Sequence, residues 1–183
     1  MASRAVPAPL AQLPNALTVL RLALIPLFVA LYVNAGDGSS WAAGWVFFVA
    51  GVTDQVDGYL ARRWHVESQF GKLADPLADR LMIDAAAILL AVEHKLPWLG
   101  AAIIVLRDVV LVGGYRLLMP RGYELSVTTL GKLATWLLYL SVGILTVTGH
   151  ATDWPRWLFW FALALALLAA AQYVVKARRE VAT

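Results

Sequence analysis

The sequence predicts an all-α integral membrane protein with six transmembrane helices and both termini cytoplasmic. Three observations carry that prediction. The 183-residue chain is 61% hydrophobic and only 15% charged, with a mean hydropathy of +0.70. An ordinary soluble domain is about 45–50% apolar and about 25% charged. Six stretches approach the length of about 20 apolar residues that a helix needs to cross a hydrocarbon core roughly 30 Å thick. The cations crowd onto one set of connections. The same composition excludes a disordered chain, a fibrous protein and a nucleic-acid binder. A net charge of +3 and a pI near 9.4 do not change this, because 15 cations and 12 anions in so apolar a chain read as membrane-flanking charge. There is no cysteine, hence no disulfide, thiol nucleophile or thiolate-bound metal. The length suits one domain.

Span one runs from Asn15 to Val33 and stops at Gly36, Asp37 and Gly38. Its apolar run is too long, and its single preceding cation (Arg4) too few, for a cleaved signal peptide. Span two covers Trp41 to Tyr59 and span three Leu73 to Val92, with Pro97 in the connection that follows. Span four, Leu96 to Leu118, meets Pro120 and Gly122. Spans five and six cover Leu130 to Thr148 and Trp154 to Val175, with Pro155 between their apolar runs. Helices of this kind satisfy their own backbone in lipid, which open sheets do not. Trp41, Trp45, Trp98, Trp154, Trp157 and Trp160 fall near the span ends opposite the termini, as an interfacial belt requires. Arg4, Arg62, Arg63, Lys72, Arg116, Arg121, Lys132, Lys176, Arg178 and Arg179 share the side of the termini, against Lys95 and Arg156 on the other; the positive-inside rule makes the first side cytoplasmic. Residues 1–13 are read as an N-terminal tail, 14–176 as the six-helix domain and 177–183 as a C-terminal tail.

Five of the eight aspartates lie on or beside spans two and three: Asp54, Asp57, Asp75, Asp79 and Asp84. Asp54 and Asp57 are three apart, Asp75 and Asp79 four apart, so each pair shares a helix face. A short turn between antiparallel spans brings the two faces together. An intramembrane aspartate costs about 2.5–3.5 kcal/mol on insertion scales, so four of them need protons or cations. An oxygen-only donor set suits hard divalent ions such as Mg²⁺, Mn²⁺ or Ca²⁺. A carboxylate cluster large enough for two ions suggests phosphoryl chemistry. Gly58 and Gly71 leave room beside the acidic face for a ligand or a second helix. Arg62 lies one turn from Gly58 and offers a phosphate a bidentate fork. Arg63, the histidines His65, His94 and His150, and Asp84 read as anchors, loop residues and a structural charge respectively.

The stretch from Asp54 to Asp79 reads DQVDGYLARRWHVESQFGKLADPLAD. It resembles the signature of the CDP-alcohol phosphotransferase family, D-x2-D-G-x2-A-R-x8-G-x3-D-x3-D, at all eight fixed positions. LPNALTVLR (Leu13 to Arg21) resembles the family's first helix, and six spans its architecture. The resemblance implies that Asp54, Asp57, Asp75 and Asp79 hold two Mg²⁺ or Mn²⁺ ions against a CDP-linked donor. It implies that Gly58, Ala61, Arg62 and Gly71 line the CDP site, with Asn15 and Thr18 contributing from the first helix. Asp79 takes the part of the general base. LRDVVLVGGYRLL (Leu106 to Leu118) and VTTLGKLATW (Val127 to Trp136) resemble the branch that transfers phosphatidyl groups from CDP-diacylglycerol to glycerol-based acceptors.

Two acceptors stay open within that branch. Glycerol 3-phosphate gives phosphatidylglycerophosphate; phosphatidylglycerol gives cardiolipin, and the Arg107–Asp108 pair looks more like the latter side. Arg107, Arg116 and Lys132 are the candidate acceptor-binding cations, since a phosphate-bearing acceptor needs them. The expected partners are CDP-diacylglycerol, a glycerol-containing acceptor, membrane lipids and a second copy of the chain, with no nucleic acid. The expected location is a bacterial cytoplasmic membrane, with the site at its cytoplasmic face. An ion-coupled transporter is the reading from another class; it predicts acids spread over several spans and broken helices near the midplane, whereas these acids crowd one interface of two adjacent spans. A purely structural membrane protein leaves four desolvated carboxylates without a task.

Overall fold

The computed structural model describes residues 13–36, 38–64, 69–118, 129–150 and 152–181, and their side chains except in 13–15, 57–64, 69–79, 114–118 and 173–181. Among the described residues six α-helices follow one another: α1 Leu13–Val33, α2 Trp41–Trp64, α3 Gln69–Val92, α4 Trp98–Leu118, α5 Thr129–Val147 and α6 Trp154–Val181. Among the described residues there is no strand. The helices begin within four residues of the expected spans. Three run on beyond them: α2 to Trp64, α3 back to Gln69 and α6 to Val181. Those extensions are the polar segments that a hydropathy reading leaves out.

Each helix buries a stripe at three- and four-residue spacing. On α1 it is Thr18, Arg21, Phe28 and Tyr32, and on α2 Ala43, Phe47 and Ala50. On α3 it is Met82, Ala86, Leu90 and Ala91, on α4 Ala101, Ile104 and Asp108. Alanine supplies much of the core, so backbones approach closely. The tightest approach is at Gly44 of α2, where an added Cβ would sit 2.2 Å from Cγ1 of Val147 on α5. An aromatic chain crosses the centre: Phe28 to Phe47 at 5.8 Å between ring centroids, and Phe47 to Tyr139 at 5.1 Å.

Outside this core the surface is apolar. Leu106, Val109 and Val110 of α4 and Leu133 and Trp136 of α5 are more than half exposed, which suits a hydrocarbon solvent better than water. Three helices are long and apolar enough to cross a membrane: Ala16–Val33, Thr129–Val147 and Trp154–Gln172. Asp54 and Asp57 of α2, Arg80 and Asp84 of α3, and Arg107 and Asp108 of α4 dilute the other three helices. Of the six tryptophans expected in a belt, Trp41, Trp45, Trp98, Trp154 and Trp157 are well exposed. Trp160 instead packs edge-on against the buried Phe159, because it falls on the core side of α6.

The α1–α2, α3–α4 and α5–α6 connections are tied together at one end of the bundle. Ser40 N–H donates to the Thr146 carbonyl at 2.9 Å, and the Tyr32 hydroxyl to the Gly38 carbonyl at 2.9 Å. The Lys95 ammonium, only 1% exposed, donates to the carbonyls of Leu145 (2.9 Å) and Thr148 at the end of α5. Arg156 Nε donates to the Lys95 carbonyl at 2.8 Å. The two cations on this side are thus committed to main-chain carbonyls, and for Lys95 the negative end of the α5 dipole adds to the attraction. Lys95→Met is expected to cost about 1.5–3 kcal/mol, the contribution of a hydrogen bond to a charged group. It should lower the melting temperature in detergent by several degrees; an unchanged melting curve would deny Lys95 this capping role.

Candidate functional site

The buried stripes change character at one level. Arg21 lies twelve residues before the end of α1, Asp54 thirteen after the start of α2, and Arg80 twelve before the end of α3. Arg107 and Asp108 lie nine and ten after the start of α4. At 1.5 Å per residue these are all about 14–20 Å from the tied end. The same spacings that deliver Phe28, Phe47 and Ile104 to the apolar core therefore deliver Arg21, Asp54 and Asp108 to one polar layer.

In that layer Arg21 is wholly buried, and its Nη1 stands 2.9 Å from Oδ1 of Asp54. The side-chain amide of Gln55 donates to Oδ2 of Asp54 at 3.3 Å. About a quarter of the Asp54 side chain stays exposed, and a carboxylate has about four acceptor positions. Asp54 can accordingly take a further ligand beside Arg21 and Gln55. Its all-oxygen chemistry, in a chain without cysteine, fits a hard divalent ion. Among the described residues no group of three or more potential metal ligands comes together. The side chains of Asp57, Asp75 and Asp79 lie outside the described residues, although Asp57 is on the helical backbone of α2 and the other two on that of α3. Gly58, Ala61, Arg62, Gly71, Asn15 and Arg116 likewise have side-chain positions outside the described residues, on helical backbone.

The other predicted residues are placed directly. Thr18 is fully buried one turn before Arg21, on the same stripe. Lys132 is exposed near the start of α5. Arg107 is largely buried and curls back to its own neighbour, with Nη1 2.7 Å from Oδ1 of Asp108. Arg80 of α3 donates to the same Oδ1. Asp108, 2% exposed, therefore ties α4 to α3 through Arg80 while also holding its neighbour Arg107. Sequence reasoning reached the Arg107–Asp108 pair but not its third member; Arg80 follows Asp79 directly and was readable only as a charge for Asp84.

A groove of about 420 Å³ runs between α2 and α5. Its walls are Trp41, Trp45, Phe48 and Val52 on one side and Trp136, Tyr139, Leu140 and Val147 on the other, with Gly44, Gly51 and Gly143 also along it. Asp54 and Gln55 stand at its far end. A slot lined by apolar side chains and ending on a carboxylate suits a molecule that is aliphatic at one end and polar at the other. The sequence signal for it, unused above, is Gly44 and Gly51 seven apart on one face of α2.

Comparison with known proteins agrees with these features. The profile of the CDP-alcohol phosphatidyltransferase family matches residues 11–168. A Pseudomonas fluorescens protein named CDP-diacylglycerol–glycerol-3-phosphate 3-phosphatidyltransferase is 39% identical over 161 residues, 86% of this chain and 80% of that one. An Escherichia coli K12 protein of the same name is 34% identical over 182 residues, 92% of this chain and 96% of that one.

Proposed function

The chain belongs to the CDP-alcohol phosphatidyltransferase family, and on that premise we propose that it transfers a phosphatidyl group from CDP-diacylglycerol to glycerol 3-phosphate with release of CMP. The observation that carries this is the junction at Asp54, where a largely apolar groove meets a layer of buried charge. A lipid nucleotide needs both halves. The groove takes aliphatic chain, and the polar layer takes the diphosphate.

Asp79 accepts the proton of the acceptor hydroxyl. The oxygen attacks the phosphorus bearing the diacylglycerol, the bond from that phosphorus to the CMP oxygen breaks, and CMP leaves. Asp54, Asp57, Asp75 and Asp79 hold two divalent ions, Mg²⁺ or Mn²⁺, which when bound neutralise charge on the diphosphate and the leaving group. Gly58, Ala61, Arg62 and Gly71, with Asn15 and Thr18, form the nucleotide side. Arg107, Arg116 and Lys132 form the acceptor side. In the same proposal all six helices cross a bacterial cytoplasmic membrane as a homodimer, with both termini and the site on the cytoplasmic side. The ten-to-two cation asymmetry supports that orientation.

The test supplies membranes containing the chain with CDP-diacylglycerol and either labelled glycerol 3-phosphate or labelled phosphatidylglycerol. Label from glycerol 3-phosphate should enter lipid in step with CMP release. Incorporation from phosphatidylglycerol alone would make the product cardiolipin, the outcome the Arg107–Asp108 pair favours. Incorporation from neither would leave the family in place and remove the glycerol acceptor.

A further inference from the structure

We propose that Asp108 is a positioning residue for the acceptor: from α4 it fixes the guanidinium groups of Arg80 and Arg107 at the edge of the motif-bearing helix. The inference rests on the reading of glycerol 3-phosphate as acceptor. Asp108 reaches two arginines from two different helices, Arg80 of α3 and Arg107 of α4. It is 2% exposed, and Arg107 has only 9% of its side chain exposed. Two guanidinium groups held on one oxygen repel each other unless the negative charge between them is kept.

Three further atoms in the same cluster are buried without a hydrogen-bond partner: Arg107 Nε, Asp108 Oδ2 and Asp84 Oδ1. Both guanidinium and carboxylate therefore retain bonding capacity. A purely structural ion pair needs no such surplus. An arginine meant to meet an incoming phosphate does, because its fork must have donors left over once its position is fixed. Arg80 is the residue after Asp79, so a shift of Arg80 is carried directly to the backbone of the proposed base.

The test compares Asp108→Asn and Asp108→Glu with the wild-type chain in purified, detergent-solubilised form, using CMP release with each substrate varied in turn. Asp108→Asn keeps the side-chain size and removes the charge. It is expected to raise KM for glycerol 3-phosphate about tenfold or more, the equivalent of one hydrogen bond to a charged group. KM for CDP-diacylglycerol should stay close to wild type, while the melting temperature should fall, since two guanidinium groups lose the charge between them. Asp108→Glu restores the carboxylate and should recover a substantial part of the acceptor KM. Equal rises in both KM values, a loss confined to kcat, or a glutamate variant no better than the asparagine one would each overturn the proposal. So would a variant that fails on both substrates through loss of the fold, since Asp108 would then be a structural tie alone. A wild-type chain that incorporates no glycerol 3-phosphate overturns the acceptor reading, and this inference with it; full acceptor use by the asparagine variant overturns this inference only.

Discussion

Asp79→Asn is expected to lower CMP release from CDP-diacylglycerol by a factor of about 10²–10⁴, the contribution of a positioned general base. The substitution keeps the shape of the side chain and removes its basicity, so the helical fold and the melting temperature should be unchanged. Metal removal supplies the companion measurement. Treating wild-type membranes with EDTA should bring activity down to a comparable floor, and added Mg²⁺ or Mn²⁺ should restore it. The same addition should not rescue Asp79→Asn. Because Asp79 is proposed both as base and as ligand, an asparagine that could still coordinate would lose the proton-accepting part first. Full activity in Asp79→Asn would end its role as base; full activity after chelation would end the divalent-ion reading.

Much of this architecture was legible in the sequence because the two signals involved are strong ones. Apolar runs near 20 residues locate the six described helices, and the eight motif positions fall on the helical backbone of α2 and α3. Helix ends were less legible. The last turn of α3 closes without glycine: His94 takes a positive φ of 56°, and Lys95 and Leu96 N–H both bond back to the Leu90 carbonyl. Histidine gives no sequence warning of that conformation, which glycine commonly supplies. The α2 extension to Trp64 was missed because Asp57, Arg62 and Arg63 break the hydropathy pattern while leaving the helix intact. Arginine pairings were the least legible. Arg80 and Asp108 are 28 positions apart and meet only because α3 and α4 pack antiparallel. The groove was invisible for a different reason: its two walls come from α2 and α5, far apart in sequence, and a space between helices has no hydropathy signature.

The stripe pattern also explains why charge at this depth is tolerated. Arg21 and Asp54 lie on helix stripes that are mostly apolar, and each compensates charge on the other. Breaking a buried ion pair by removing one partner typically costs about 3–5 kcal/mol, whereas replacing both partners with apolar groups of similar volume is often neutral. Asp54→Ala should therefore destabilise the bundle by about that amount, since it removes the carboxylate beside a wholly buried guanidinium. For a chain of this length the loss corresponds to roughly 6–20 °C in melting temperature. Arg21→Met should cost less, because the exposed quarter of Asp54 can still be solvated and Gln55 remains beside it. The double exchange Arg21→Met with Asp54→Leu should regain much of the stability lost in Asp54→Ala. It should regain no CMP release. That divergence separates the two tasks of the pair, since packing can be restored by apolar volume while a ligand oxygen cannot. A double-mutant cycle on melting temperatures measures the coupling. Strictly additive effects would mean that Arg21 and Asp54 are neighbours without being partners, and recovery of activity in the double variant would remove Asp54 from the site.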